Sequence, residues 1–308
     1  MTPDLSIIIV NWNVCGLLRR CLGSILQSSS LAVKGPISTE IIVVDNASTD
    51  GSVEMLRAEF PQVTLIANTG NRGFTAGNNQ GIAAAQGRYV LLLNPDTEVL
   101  DDAFTTLVGF LDTHPDVGLV GPQLLYPEGG VQSSRRRFPT AATLFLESTW
   151  LQSLAPRSLL RRYYVLDQPD DAELDVDWVT GAAMLARREA IQQVGGMDEG
   201  FFMYSEELDW CRRIKTAGWR VVYHPGAQII HHEGKSSEQA VPARHINFQR
   251  SKIRYALKYH GPIVATTLRL YLLGLYTWQL GLELAKGIMG CKRALRWQRV
   301  RAYWQVLK

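Results

Sequence analysis

The first part of the chain alternates between short apolar runs and stretches with helical spacing. Runs rich in β-branched residues occur at 5–13 (LSIIIVNWN), 40–48 (EIIVVDNAS), 63–68 (VTLIAN) and 89–96 (YVLLLNPD). Such runs are typical of strands buried on both faces. The stretches between them, NVCGLLRRCLGSILQS with Asn13 as a candidate cap, GSVEMLRAEF and AGNNQGIAAAQ, have helical periodicity. The order β-α-β-α-β-α-β predicts an α/β fold with a mainly parallel central sheet flanked by helices.

A second patterned block occupies residues 176–236, after loops and short strands at 113–140. WVTGAAMLA predicts a strand, and REAIQQV predicts a helix closed by Gly195 and Gly196. SEELDWCRRIKTAGW predicts a helix that ends at Gly218, and RVVYH and QIIHHEG follow it.

Residues 241–308 differ from the rest in charge. They contain 13 Lys or Arg and one acid, Glu283, a net charge of +12, whereas residues 1–240 contain 19 Lys or Arg and 28 Asp or Glu, a net charge of −9. The apolar centre, Ile263 to Leu284, is interrupted by Arg269, Gln279 and Glu283, which disfavours a spanning helix. The pattern predicts a basic amphipathic helical tail on the surface of a membrane. The alternatives are packing on the rest of the chain and a homodimer contact.

Two acids follow predicted strands directly. Asp45 ends the second strand and Asp96 the fourth, and ligands of open α/β sheets bind beyond such ends. A buried carboxylate needs solvent, a hydrogen-bond donor or a metal, and Pro95 restricts the backbone before Asp96. The pattern favours a metal–phosphate site, with capping of the helix predicted at 101–112 as the alternative role for Asp96.

Three acids, Glu206, Glu207 and Asp209, lie in the first turn of the helix predicted in the second block. The helix dipole favours acids there, so capping is one explanation for them. The histidines of RVVYH and QIIHHEG make a metal-binding role the other explanation.

Seven segments in order resemble family 2 of the glycosyltransferases, which have the inverting GT-A fold. They are SIIIVNWN, IIVVDNASTDGS, NRGFTAGNNQGI, LLLNPDTEV, TGAAMLARREA, GGMDEGFFMYSEELDWCRRIKTAGW and HHEGKS. NPD and SEELDWCRR are most similar to the rhamnosyltransferase-like branch. The resemblance implies a catalytic domain at 1–240, with a nucleotide-binding part at about 1–112 and an acceptor part at about 113–240, and a C-terminal helical appendage at 241–308.

The resemblance implies a divalent cation, Mg²⁺ or Mn²⁺. The family's DXD motif corresponds to Asn94-Pro95-Asp96, with Asn94 in place of the first aspartate. Asp96 would hold the cation against the diphosphate of a nucleotide-sugar. The family's downstream histidine corresponds to His231, and the neighbouring His232 remains an alternative.

The resemblance also implies contacts with the two substrates. Asp45 is expected to face the base or ribose of the donor. The other expected contacts are Val10, Asn11 and Trp12 around the base, Gly73 and Asn78 near the nucleoside, Thr180 and Gly181 of TGAAMLARREA, and Asp198 on the acceptor side.

Inversion requires a base for the acceptor hydroxyl. In the family this base is the last residue of a TED-like triplet, which here is Ser205-Glu206-Glu207. The resemblance therefore implies Glu207 as the base, and Asp209 and Glu206 are competing candidates.

The expected function is transfer of a sugar from a nucleotide-sugar, with rhamnose from dTDP-rhamnose as the first choice, to a glycan or lipid-linked glycan of the cell envelope. A degenerate binding module and a nucleotidyltransferase are the alternatives; NWNVCGLLRR lacks the Gly-rich basic loop of the latter. The tail's long aliphatic runs disfavour nucleic acid as a partner. Four scattered cysteines and an N-terminus without signal-peptide features predict a protein on the cytoplasmic face of the membrane.

Overall fold

The computed structural model describes residues 2–31, 37–232, 241–289, 296–297, 299–301 and 303–304. The domain boundary predicted at residue 240 and the last four residues of HHEGKS lie outside them. The chain forms two compact units. The first unit comprises Met1–Phe138, Arg157–Phe202 and Glu206–Ser236, and the second comprises Pro139–Pro156, Met203–Ser205 and Ser237–Lys308.

The elements of the N-terminal part follow the predicted alternation of strands and helices. They are β1 (Leu5–Asn11), α1 (Cys15–Leu31), β2 (Thr39–Asp45), α2 (Ser52–Glu59), β3 (Thr64–Ala67), α3 (Phe74–Ala84), β4 (Tyr89–Leu93), β5 (Thr97–Val99), α4 (Ala103–Thr113) and β6 (Val117–Leu125).

Most of the elements after β6 are short. They are β7 (Val131–Gln132), β8 (Arg135–Arg136), α5 (Ala141–Leu146), a 3₁₀ helix (Trp150–Leu154), α6 (Arg157–Tyr163), β9 (Leu174–Asp175), β10 (Trp178–Val179), β11 (Ala183–Arg187), α7 (Arg188–Val194), α8 (Glu206–Thr216), β12 (Arg220–His231) and α9 (Val241–Ile288).

The central sheet has the strand order β3-β2-β1-β4-β11-β6-β12-β5. The strands β3, β2, β1 and β4 are parallel, as are β6 and β12. Strand β11 joins these two halves and is antiparallel to both β4 and β6. The N-terminal end of β11 therefore lies at the carboxyl end of β4. The predicted α/β class with helices flanking a central sheet is confirmed.

Helices cover both faces of the parallel strands because side chains of β1 alternate between the faces. Ile7 and Ile9 belong to the apolar core that α1 enters with Leu18 and Leu22. On the other face, α3 approaches so closely that a Cβ added at Gly77 would lie 2.8 Å from Val10 Cγ1.

The structure corrects two local predictions in the N-terminal part. Asn13 does not cap α1, because its backbone is left-handed (φ 53°) and its Oδ1 accepts from Thr49 N. Asp50 Oδ2 accepts instead from Cys15 N at 2.7 Å. The capping role considered for Asp96 is wrong as well, because β5 intervenes and Asp102 occupies the N-cap position of α4.

The second block also departs from the prediction. WVTGAAMLA is not one strand: β10 pairs with β8, whereas β11 pairs in the central sheet. RVVYH and QIIHHEG contribute to a single strand, β12, whose pairing with β6 is irregular between His224 and Gln228. Local apolar patterning does not reveal either change, because both depend on which partner strand is available.

The second unit is helical in its described residues, and α9 is its longest element. This helix breaks at Gly261, whose φ of 86° is left-handed, immediately before Pro262. Lys252 is buried and donates to the backbone oxygen of Glu147 at 2.6 Å. Burial lowers the pKa of Lys252. Among the described residues, no helix combines the length and the hydropathy needed to cross a bilayer.

Candidate functional site

Two predicted site residues meet where the parallel strands β1 and β2 end. Asn11 pairs in register with Asp45, and Asn11 Nδ2 donates to Asp45 Oδ1 at 2.8 Å. The backbone N–H of Ser48 donates to Asp45 Oδ2 at 2.9 Å. Both oxygens of the Asp45 carboxylate therefore accept protein hydrogen bonds, although the side chain is buried. This carboxylate is held in one orientation at the strand end.

The end of β4 presents two oxygen atoms that lack a hydrogen-bond donor. Asp96 Oδ1 and Asn94 Oδ1 are buried and have no partner among the described residues. The backbone N–H of Asn94 donates to Ala182 O at 2.9 Å, which attaches this tip to the start of β11. Burying an unpaired polar atom is costly, so the tip has the character of a binding site for a hydrogen-bond donor or a cation.

His231 lies beside this tip because β12 pairs with β5 at its carboxyl end. His231 is opposite Thr97 in the register, and its Nε2 is 3.5 Å from Asp96 Oδ1, without a hydrogen bond between them. His232 points elsewhere: its Nε2 is 2.6 Å from Glu98 Oε1. Of these two adjacent histidines, His231 is the one whose ring faces Asp96.

Gln132 orients the ring of His231. Its Nε2 donates to the backbone oxygen of His231 at 2.6 Å, so its Oε1 is the atom 3.0 Å from His231 Nδ1. An amide oxygen can only accept, so Nδ1 must carry the hydrogen. In the neutral ring, Nε2 then has a free lone pair directed towards Asp96.

This donor set suits Mg²⁺ or Mn²⁺ bound together with substrate. No cluster of three or more His, Cys, Asp or Glu side chains arranged for a metal occurs in the described ranges. Asp96 and His231 supply one carboxylate and one imidazole, and Asn94 adds an amide oxygen. Mg²⁺ commonly takes one or two protein carboxylates and completes its shell with phosphate oxygens and water. These residues therefore fit a cation that arrives with a diphosphate.

The three acids in the first turn of α8 differ in their surroundings. Asp209 is fully buried and accepts from Arg213 Nε at 2.8 Å. Glu206 is 4% exposed, and burial together with the neighbouring charge of Glu207 raises its pKa well above the usual range. Glu207 is only partly buried. Asp209 is thus held by an ion pair, and burial favours the protonated form of Glu206. Glu207 is the least buried of the three side chains, although its Oε2 is buried.

The segment from Thr180 to Ala182 connects two acidic regions, namely the tip of β4 with Asp96 and the first turn of α8 with Glu207. A Cβ added at Gly181 would lie 3.7 Å from the Cβ of Glu207, so the backbone here lies close to that side chain. The adjacent Ala182 accepts from Asn94 N. Thr180 Oγ1 and Ser134 Oγ are buried without a partner in the described part of the chain. This segment therefore combines one buried hydroxyl, that of Thr180, for which the described residues offer no partner, with a backbone that lies close to both regions.

The remaining predicted residues lie around α3 and the loop after α7. The carbonyl of Gly73 accepts from Asn46 Nδ2 at 3.0 Å. Asn78 is buried and donates to Phe74 O within its own helix. Asp198 accepts from Gly200 N at 2.9 Å. Val10 is buried, and Trp12 is partly exposed just beyond β1. None of these contacts joins them to Asp96 or Glu207.

Sequence reasoning missed Gln132 and the hydroxyl of Ser134. Gln132 lies in a two-residue strand, β7, that has no recognisable periodicity. Only the pairing of β7 with β6 brings it next to the end of β12.

The three arginines Arg135–Arg137 make contacts within the protein. Arg135 donates to Asp170, Arg136 stacks on Tyr164, and Arg137 donates to a backbone oxygen.

Comparisons with known proteins agree on one family. The model of glycosyl transferase family 2 matches residues 6–195. The chain is 31% identical over 257 residues to N-acetylglucosaminyl-diphospho-decaprenol L-rhamnosyltransferase of Mycobacterium tuberculosis, covering 80% of this chain and 81% of that one. It is 26% identical over 180 residues to rhamnosyltransferase WbbL of Escherichia coli, covering 52% and 61% of the two chains.

Two solved structures share the fold. The mannosyltransferase of Pyrobaculum calidifontis, in complex with GDP-Man and Mn²⁺, has a TM-score of 0.58 at 17% identity, covering 100% of this chain and 86% of that one. GalNAc-T7, with UDP, GalNAc and Mn²⁺, has a TM-score of 0.55 at 16% identity, covering 75% and 43%. These similarities confirm the GT-A fold.

Proposed function

The chain belongs to glycosyltransferase family 2, and on that premise we propose that it transfers rhamnose from dTDP-rhamnose to a hydroxyl of a lipid-linked glycan. The sugar and the acceptor class come from the Mycobacterium tuberculosis relative, whose name specifies a rhamnosyl transfer to a sugar on a prenyl diphosphate. The choice of dTDP as the nucleotide rests on the resemblance to the rhamnosyltransferase-like branch. The observation that carries the proposal is the pair of acidic regions joined by Thr180–Ala182: Asp96 with His231 on one side, and Glu207 on the other.

The proposed reaction is a single displacement with inversion at the anomeric carbon. Glu207 accepts the proton of the acceptor hydroxyl while that oxygen forms its bond to the anomeric carbon. The bond from the same carbon to the diphosphate oxygen breaks, and the nucleoside diphosphate leaves with the electron pair. Glu207 suits this role because it is the least buried of the three acids, whereas burial and the neighbouring charge of Glu207 raise the pKa of Glu206 and favour its protonated form.

The diphosphate is proposed to bind at the tip of β4. Asp96, Asn94 and His231 would hold a divalent cation there, which would neutralise charge on the leaving diphosphate. The lone pair on Nε2 that Gln132 enforces makes His231 a suitable ligand.

The nucleoside is proposed to lie beyond β1 and β2. Asp45 is oriented by Asn11 and Ser48, and each of its oxygens retains capacity to accept one further hydrogen bond from a ribose hydroxyl or a base N–H. Trp12 directly follows Asn11, which is the last residue of β1.

The test is acceptor-dependent release of nucleoside diphosphate by the purified chain. We would compare dTDP-rhamnose with GDP-mannose and UDP-N-acetylglucosamine, each with and without Mn²⁺ or Mg²⁺, using a short-chain prenyl-diphosphate N-acetylglucosamine as acceptor. We expect release from dTDP-rhamnose only when the acceptor and a cation are present, and a product with the opposite anomeric configuration to the donor. Release that is independent of the cation, or a product with retained configuration, would contradict the mechanism.

A degenerate module that binds a donor without turnover is the competing function. Asn94 in place of an aspartate and Glu207 in place of the family's aspartate are the features that favour it. It predicts a donor-dependent rise in melting temperature without release of nucleoside diphosphate for any acceptor. Membership of the glycosyltransferase family disfavours the nucleotidyltransferase alternative.

A further inference from the structure

The part of α9 beyond Gly261 presents an apolar stripe to solvent. Its large exposed apolar residues are Ile263, Leu270, Leu273, Trp278, Leu282, Ile288 and Met289. The exposed positions between them are Thr, Gly or Ala apart from Arg269, the one charged residue exposed within 262–289. Ile263 and Leu270 are 81% and 64% exposed. We call these seven residues the apolar stripe.

The opposite side of the same helix is already packed within the second unit. Leu268, Leu272 and Tyr276 are buried there. Glu283 is also buried, and both its oxygens accept from Arg296 Nη1, at 2.7 and 2.8 Å. The apolar stripe is therefore additional to the core-facing side, and a helix with two apolar sides is expected to bury the second against a partner.

The charges around the stripe indicate the chemistry of that partner. Arg254 and Lys258 are exposed before the break at Gly261, and Arg299 and Arg301 are exposed after α9. The only acid of residues 241–308 is Glu283, which is buried and paired. A second copy that presented the same helix would bring cations against cations, whereas anionic phosphates would complement them.

We propose that the apolar stripe binds the surface of an anionic lipid bilayer, with α9 beyond Gly261 lying in the plane of the membrane. A helix with a wide apolar side, flanking cations and exposed tryptophan has the composition of an interfacial helix. This inference deepens the proposed function, on which it rests for the lipid-linked acceptor. Binding itself is tested without donor or acceptor, so the two proposals can fail separately.

The experiment is co-sedimentation of the full chain with vesicles of phosphatidylglycerol and phosphatidylcholine, compared with vesicles of phosphatidylcholine alone. The variant is Leu270→Glu, and the matched control is Leu166→Glu, which replaces an exposed leucine (55%) of the first unit. We expect binding that prefers anionic vesicles, weakens with salt, falls about tenfold or more in Leu270→Glu and is unchanged in Leu166→Glu.

Three outcomes would overturn the inference. They are absence of binding to anionic vesicles at low salt, equal binding by wild type and Leu270→Glu, and a dimer in solution that Leu270→Glu converts to a monomer, which would assign the stripe to a second copy. Transfer to the short-chain acceptor in the absence of vesicles separates the proposals. If Leu270→Glu keeps that activity but loses vesicle binding, both proposals stand; if wild type binds vesicles without any transfer, only the proposed function fails.

Discussion

Negative charge is stabilised differently in the two acidic regions of the site. At the strand ends, Asp45 accepts hydrogen bonds on both oxygens, and Asp96 lies near His231 with one oxygen left without a donor. In the first turn of α8, Asp209 is paired with Arg213, but Glu206 and Glu207 are adjacent. There burial and the neighbouring charge raise the pKa of Glu206, which favours its uncharged form. The strand ends are thus arranged for a cation or a hydrogen-bond donor, and the helix turn for holding and accepting protons.

The largest effect is expected from Glu207→Gln, which keeps the shape of the side chain and removes its basicity. Because a general base contributes about 10²–10⁴-fold, we expect kcat to fall by that range with little change in the KM of the donor. Steady-state release of nucleoside diphosphate measures both constants.

The control for this prediction is Asp209→Asn, which removes an acid from the same turn without touching the proposed base. It should lower the melting temperature through the loss of its pair with Arg213 and leave the variant's kcat within about tenfold of wild type, below the range for a lost base. If the losses of kcat were reversed between the two variants, Asp209 would be the base.

Asp96→Asn should have the next largest effect, because it removes the charge that the strand-end region offers to a cation. We expect transfer to fall about 10²–10³-fold, the range for loss of one preorganised electrostatic group. Thermal-shift titration with Mn²⁺ in the presence of nucleoside diphosphate should show a weaker response than in wild type. An unchanged Mn²⁺ response in Asp96→Asn would place the cation elsewhere.

Gln132→Leu should have a smaller effect, because it acts through the orientation of His231. Loss of such a partner typically lowers metal affinity about 10–100-fold, so half-maximal activity should require more Mn²⁺ while kcat at saturating Mn²⁺ is largely restored. Gln132→Glu retains an acceptor for His231 Nδ1 but loses the donor to the backbone oxygen of His231, so it should recover only part of the affinity. Equal Mn²⁺ dependence in wild type and Gln132→Leu would show that the tautomer is irrelevant.

Glu206→Gln should have the smallest effect and should act on stability. The folded-state pKa of Glu206 is raised, so its contribution is fully present below the pKa of an unfolded glutamate and is lost as pH rises through the folded-state value. The neutral amide of Glu206→Gln does not ionise, so its contribution to the free energy of unfolding is not lost as pH rises. The variant should therefore melt higher than wild type at pH 8 by about 2–4 °C, for a gain of about 1 kcal/mol, and the difference should vanish near pH 4.

The alternation of strands and helices in the N-terminal part could be predicted because each element there carries its own period. Val90 to Leu93 form a continuous apolar run that is typical of a buried strand, and the rule for parallel sheets places Asp45 and Asp96 at one edge. The GT-A fold and the family followed from the resemblance of seven short segments. The split of WVTGAAMLA into β10 and β11 could not be predicted, because both halves have the same strand-like composition.

The sequence by itself determined which residue types stand at strand ends and in the first turn of α8, because helical and strand periods are local properties. Only the tertiary structure decided their individual states. Gln132 orients His231 from 99 positions away, and Gly181 lies close to Glu207 through the packing of separate elements. Burial and neighbouring charge then distinguish Glu206 from Glu207, although they are adjacent in sequence. These properties depend on distances between elements, which local patterning does not contain.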